Sequence, residues 1–194
     1  MKKSTTTITL IFVCVLVAVV GYYTYLTGRS RENQKEAVLS EVQLVLSRDL
    51  ANDYPPTPKE VLRYYNEVIM CFYNEECTEQ EIEDLGNKAR QLYDEELLAN
   101  NEPEAYLVRL KQEIEDGKEA DMRITSASVA SSTNVDYFEE DGYDFARIHC
   151  GYTVILNGVS TPVREVYLLR RDENRQWKIY GWELAENVNP QNSQ

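Results

Sequence analysis

The sequence predicts an α+β protein: an N-terminal transmembrane helix, then three helices packed on a curved four-stranded antiparallel sheet. Three observations carry this reading. Residues Ile8 to Leu26 form an apolar run that no charge interrupts. Apolar residues then recur at helical spacing as far as Ile114. After Met122 the period changes to the alternation of half-buried strands, punctuated by Asp141-Gly142 and Asn157-Gly158. Helices gathered ahead of strands indicate α+β rather than alternating α/β.

At about 1.5 Å of rise per residue, the first run just spans a hydrocarbon core of roughly 30 Å. Lys2 and Lys3 precede it, as in a signal peptide. Cleaved signals, however, carry about 7–15 apolar residues and end in small ones. This run is longer and ends in Tyr22-Tyr23-Thr24-Tyr25, which suits an aromatic belt at a membrane interface. Cys14 sits between Val13 and Val15, so no lipobox is present. A short basic N-terminus before a first span favours a signal-anchor, with the bulk of the chain outside the cytoplasm. The expected organisation is a basic tail (1–7), a transmembrane helix (8–26), a juxtamembrane stalk and helix (27–52), an α+β domain (53–187) and a flexible tail (188–194). The expected location is the cell membrane, single-pass, with the lipid bilayer as partner of residues 8–26.

The chain has 194 residues and a formal net charge of −13. That length allows one domain plus a stalk. Such acidity argues against nucleic acid as a partner, because phosphates require Lys and Arg. It also opposes contact with anionic headgroups and reads most simply as a self-repelling, soluble surface. Cys71, Cys77 and Cys150 follow the span without a C-x-x-C pair, which removes zinc-knuckle and thioredoxin-type readings. Cys71 and Cys77 read as apolar thiols, with a disulfide as the alternative.

Leu39, Val42, Leu46 and Leu50 make a helical stripe that ends before Pro55-Pro56. Thr57-Pro58-Lys59-Glu60 starts the first domain helix, with Thr57 as cap and Glu60 placed to close a capping box. Val61, Tyr65, Val68, Ile69 and Phe72 are its buried stripe. Thr78-Glu79-Gln80-Glu81 is a second capping box, followed by Ile82, Leu85, Ala89, Leu92 and Tyr93 and continuing towards Leu97. Asn100 to Pro103 opens a third helix, with Leu107, Leu110 and Ile114 as its stripe and Asp116-Gly117 as its end.

Met122 to Phe138 reads as the first strand. Ala146, Ile148, Cys150, Tyr152, Val154 and Leu156 alternate in a long second one. Asn157-Gly158 is a hairpin turn leading to a third strand, Val163 to Arg171. Asp172-Glu173-Asn174 turns the chain into a fourth, Gln176 to Leu184.

Helices followed by strands that close with Val166 to Asp172 and Trp177-Lys178-Ile179-Tyr180-Gly181-Trp182 resemble the NTF2-like (cystatin-like) superfamily, over about Thr57 to Leu184. The whole layout resembles an uncharacterised family of bacterial single-span proteins, a domain of unknown function. Tyr54 to Val61, Leu92 to Leu98 and Trp177 to Trp182 carry that likeness. The resemblance implies a cone-shaped domain outside the cytoplasm and no assigned activity. NTF2-like proteins include isomerases, dehydratases and binding modules, so fold alone does not choose among them.

No catalytic signature stands out. His149, the only histidine, falls on the strand face opposite Ile148 and Cys150, and no G-x-S-x-G is present. Aligning Gly142 with the glycine of a calcium loop puts Tyr137 and Ile148 at ligand positions, so the EF-hand fails. Pro55-Pro56-Thr57-Pro58 contains P-x-x-P, which helix punctuation explains. No metal or cofactor is expected. The chain does carry 14 Tyr and two Trp. Tyr65, Tyr93, Tyr152, Tyr167 and Trp177 fall on or near inferred buried faces, as core or as the lining of a pocket. Glu165 shares strand parity with Val163, Tyr167 and Leu169 and could point inward. In NTF2-like enzymes an inward carboxylate serves as general base, with a Tyr or protonated acid as donor. Arg147 or Arg164 could instead pair with Glu165 in a salt bridge.

The first expectation is therefore a membrane-anchored binding or interaction module for a small ligand or protein partner, leaning away from an enzyme. The alternatives are an NTF2-like enzyme using acid–base chemistry in the cone, and an accessory subunit of a membrane complex. A binding module calls for a cavity that is small or lacks an inward ionisable pair. An enzyme calls for a sizeable pocket with an isolated inward carboxylate near a Tyr.

Overall fold

The computed structural model describes residues 39–185. Its elements run α1 (Glu41–Ser47), α2 (Pro58–Asn74), α3 (Glu79–Arg90), α4 (Glu95–Ala99), α5 (Pro103–Glu119), β1 (Arg123–Val129), β2 (Asp136–Glu140), β3 (Tyr143–Leu156), β4 (Val159–Arg171) and β5 (Trp177–Leu184). The strands form one antiparallel sheet in the order β1-β3-β4-β5, with β2 also paired to β3.

The helix starts follow local chemistry. The hydroxyl of Thr57 accepts from the Glu60 amide and donates to the Glu60 carboxylate at 2.9 Å, with Pro58 in the first turn. Thr78 and Glu81 close a reciprocal capping box. Those bonds hold the Glu81 carboxyl below its ordinary value. Val61, Leu62, Tyr65, Val68 and Phe72 then bury one face of α2 against the sheet. Asp141-Gly142 and Asn157-Gly158 have positive φ at both turn positions, matching the right-handed twist of the hairpins they close. Cys71, Cys77 and Cys150 are free thiols, and burial pushes that of Cys150 up to about 11.

Several expectations change. The run 8–26, the segment 27–38 and the tail 186–194 lie outside the described residues. Among the described residues no helix is long and apolar enough to cross a membrane. The fold class is accordingly corrected to an α+β unit with five helices and five strands among its described residues and no membrane-spanning helix among them. The compact unit begins at Ser40. Val42, Val45 and Leu50 join its core, so a segment read from sequence as juxtamembrane contributes to packing. The strand expected over Met122 to Phe138 is two strands, β1 and β2, because Ser131 to Asn134 turn the chain out of the sheet.

The second domain helix does not continue to Leu97. It stops at Arg90, and the backbone of residues 92–94 joins the edge of β5 in a parallel bridge between Tyr93 and Ile179. The Ile179 amide donates to the Leu92 carbonyl at 2.8 Å, and the Asp94 amide to the Ile179 carbonyl at 2.9 Å. Asp94 then caps α4 by accepting from the Glu96 amide at 3.0 Å.

Asp94 and Arg170 form the buried ion pair of the fold, 3 % and 6 % exposed. The guanidinium donates through Nε to Asp94 Oδ2 at 2.9 Å and through Nη2 to Oδ1 at 2.6 Å. Its Nη1 reaches Glu96 Oε1 at 2.7 Å. Tyr143 and Tyr180 stand over the guanidinium carbon at 4.7 and 5.0 Å, and Tyr180 donates to Glu96 at 2.8 Å. The cluster joins β3, β4 and β5 to the head of α4. Arg170→Met leaves Asp94 buried without a counter-charge, and urea unfolding should show a loss of about 3–5 kcal/mol. Arg170→Lys should recover part of that loss but not the two-point contact. A cost for Arg170→Met below about 1 kcal/mol would show the pair to be dispensable.

Candidate functional site

A cleft of about 390 Å³ opens between the helices and the sheet. That volume lies within the usual range for small-molecule sites. Tyr65 comes from α2, Tyr93 from the bridge at the β5 edge, Tyr106 from α5, Glu165 and Tyr167 from β4, and Trp182 from β5. The rings pack on one another: Tyr65 lies 6.0 Å from both Tyr93 and Tyr167, and Trp182 stacks on Tyr167 at 5.8 Å. Edge-on and offset contacts of this kind fix ring orientation.

Behind the rings runs a string of polar atoms. The Tyr167 hydroxyl donates to Glu165 Oε2 at 2.7 Å. Tyr152 and Tyr167 share a hydrogen bond at 3.0 Å, and the Tyr152 hydroxyl lies 2.8 Å from the buried Asn66 Oδ1. Tyr65 and Tyr93 share another at 3.2 Å. Burial raises the phenols of Tyr65, Tyr93, Tyr152 and Tyr167 above their ordinary value, so all four remain neutral. Burial likewise raises the Glu165 carboxyl, and the Tyr167 hydroxyl opposes that rise in part.

The structure brings four of the six sequence candidates into the cleft: Tyr65, Tyr93, Glu165 and Tyr167. Tyr152 stands behind the lining as the link to Asn66. Trp177 is elsewhere, 5.7 Å from Tyr137 with the Arg171 guanidinium over its ring, lining a separate depression with Phe138 and Phe145. Neither Arg147 nor Arg164 pairs with Glu165. Arg147 is bound to Asp136 at 3.2 Å, and among the described residues no ion pair reaches Glu165. His149 is exposed on the outer face of the sheet. Among the described residues no group of three or more His, Cys, Asp or Glu is arranged to hold a metal.

Trp182 and Tyr106 are among the lining residues that escaped the sequence reading. Trp182 has the opposite parity to Trp177 and Ile179. A register shift at Leu168/Leu169 lets β5 run from Ile179 to Gly181 against a single step of β4. That extra residue turns Trp182 onto the inner face opposite Tyr167. A glycine inside a strand, Gly181, is the signal for such a bulge. Tyr106 precedes Leu110 and Ile114 at successive spacings of four, so the stripe of α5 begins one residue earlier than the expected Leu107.

A family model described as a domain of unknown function (DUF6715) matches residues 1–182. No curated protein matches the chain in sequence.

Because Glu165 is held above its unfolded value of 4.5, the folded protein binds this proton more tightly than the unfolded chain. The stability it contributes is full below that value and is lost as pH rises through the raised native one. The groups facing it are Tyr167 from the same strand, Tyr152 and Cys150 from β3, Tyr65 from α2, and Arg109 and Glu113 at the α5 rim. Thermal melts from about pH 4 to about pH 8 should show Glu165→Gln losing this part of the decline. Parallel curves for the two proteins would contradict the assignment.

Proposed function

The chain belongs to the DUF6715 family, and we propose that it is a binding module whose aromatic cleft takes a small ligand. The observation that carries this is Trp182, 44 % exposed and seated on Tyr167 at the mouth of the cleft. A large apolar ring held half in water by its neighbours is suited to cover a guest. The tyrosine rings supply flat apolar contact at low entropic cost, because each is already fixed by packing. On the NTF2-like resemblance, the space between helices and sheet is where ligands are held.

A second reading, acid–base chemistry, is favoured by Glu165 standing 2.7 Å from the Tyr167 hydroxyl in a cleft of this size. Binding remains the better supported. Moving a proton on and off a substrate needs two groups with separated affinities near the working pH. The phenols beside Glu165 are all shifted away from that range, and Glu113 lies exposed at the rim.

Calorimetric titration of the full chain with small aromatic and apolar compounds tests the binding reading. A ligand of this cleft should bind Trp182→Ala about tenfold more weakly, with little change in folding. Undiminished binding by that variant would move the site elsewhere. Turnover of a bound compound that disappears in Glu165→Gln would favour the enzyme.

A further inference from the structure

The fold seats its own cations on aromatic faces. Arg48 lies over Tyr64 at 4.9 Å, Arg90 over Tyr106 at 5.3 Å, Lys178 over Tyr54 at 4.0 Å, and Arg170 over both Tyr143 and Tyr180. Among the described residues no Lys or Arg sits on the rings of Tyr65, Tyr93, Tyr167 or Trp182. All four rings line the cleft, Trp182 exposed and the three tyrosines reaching it through small surfaces.

Its charges point the same way. Glu165 uses Oε2 for the Tyr167 hydroxyl, and Oε1 has no hydrogen bond among the described residues. Glu113 adds a second carboxylate at the rim. The one basic lining group, Arg109, donates to Asn101 Oδ1 at 2.7 Å. A neutral apolar guest would bury the free Glu165 oxygen without a partner, which costs binding energy. An anion would face that oxygen directly. A hard metal ion would find too few oxygens, since calcium takes six to eight.

Resting on the small-ligand reading above, we propose that the cleft binds an organic cation: an alkyl- or aryl-substituted ammonium whose carbon groups lie against Tyr65, Tyr93 and Trp182 and whose charge faces Glu165. Aromatic walls and one carboxylate recognise the two halves of such a molecule separately. The rings take the polarised methyl or methylene groups, and the carboxylate takes the charge. A net charge of −13 also draws cations toward the surface before they meet the cleft.

The test titrates the full chain, by calorimetry at fixed ionic strength, with choline and benzyltrimethylammonium. Each is compared with a neutral counterpart of the same shape, 3,3-dimethylbutan-1-ol and neopentylbenzene. Each cation should bind at least about tenfold more tightly than its neutral partner. Glu165→Gln should remove most of that preference, and Trp182→Ala should weaken both members of a pair. Circular dichroism and thermal melting establish that each variant is folded. Neutral compounds binding as tightly as the cations would overturn the cation assignment and leave the small-ligand reading standing. Cation binding unchanged in both variants would place it on the acidic surface and overturn the assignment as well. Absence of binding by all four compounds up to about 10 mM would overturn both readings.

Discussion

The bidentate contact between Arg170 and Asp94 is the constraint on which the rest of the architecture depends. Asp94 is at once the counter-charge of a buried guanidinium and the cap of α4, and its amide is bonded to the β5 edge. One residue earlier in the chain is Tyr93, a wall of the aromatic cleft. The pair therefore sets the position of a cleft residue without touching the cleft. Neither charge could be left alone in this place, because an unpaired buried ion costs several kcal/mol. The rings of Tyr143 and Tyr180 also stand over the guanidinium.

The cleft is a product of mismatch between elements. Helix α2 packs its apolar stripe on one face of the sheet, and α3 and α5 pack on α2 and on each other, but tyrosines stand where a filled core would hold aliphatic side chains. A phenol needs a partner for its hydroxyl, so the rings tilt towards one another and towards Asn66 and Glu165 instead of interlocking. The bulge in β5 adds Trp182 to the same wall. Space, polarity and aromatic walls thus arise together from the choice of Tyr at Tyr65, Tyr93, Tyr106 and Tyr167.

Much of the domain was legible because its signals are local. Thr57, Thr78, Asp141-Gly142 and Asn157-Gly158 act within a few residues of themselves, and helix starts and hairpins fell where they indicated. Inward parity along β3 and β4 was also readable, which brought out Tyr152, Glu165 and Tyr167. What could not be read depends on distant partners. Residues 91–94 look helical on their own and leave the helix because β5 offers hydrogen bonds to the Leu92 carbonyl and the Asp94 amide. Trp182 joins the cleft because one bulge reverses its parity, while Trp177 keeps the parity of Ile179 but stands at the other end of β5 beside Tyr137. The pairing of Arg170 with Asp94 spans elements with no shared sequence pattern, and no period in either segment announces it.

The string from Glu165 to Asn66 has a direction, and its direction is a record of charge. Three contacts join four groups, while Tyr152 and Tyr167 bring one hydroxyl hydrogen each. With Tyr167 donating to Glu165 and Tyr152 donating to the Asn66 carbonyl oxygen, both hydrogens point away from the contact between the two hydroxyls, which is left without one. A proton on Glu165 supplies the missing hydrogen: the carboxyl then donates to Tyr167, and Tyr167 turns its own hydrogen to Tyr152. Proton occupancy at the cleft and the bond between two phenols behind it are therefore one event. A positive charge arriving beside Glu165 holds the carboxylate ionised and keeps the Tyr167 hydrogen turned toward the cleft.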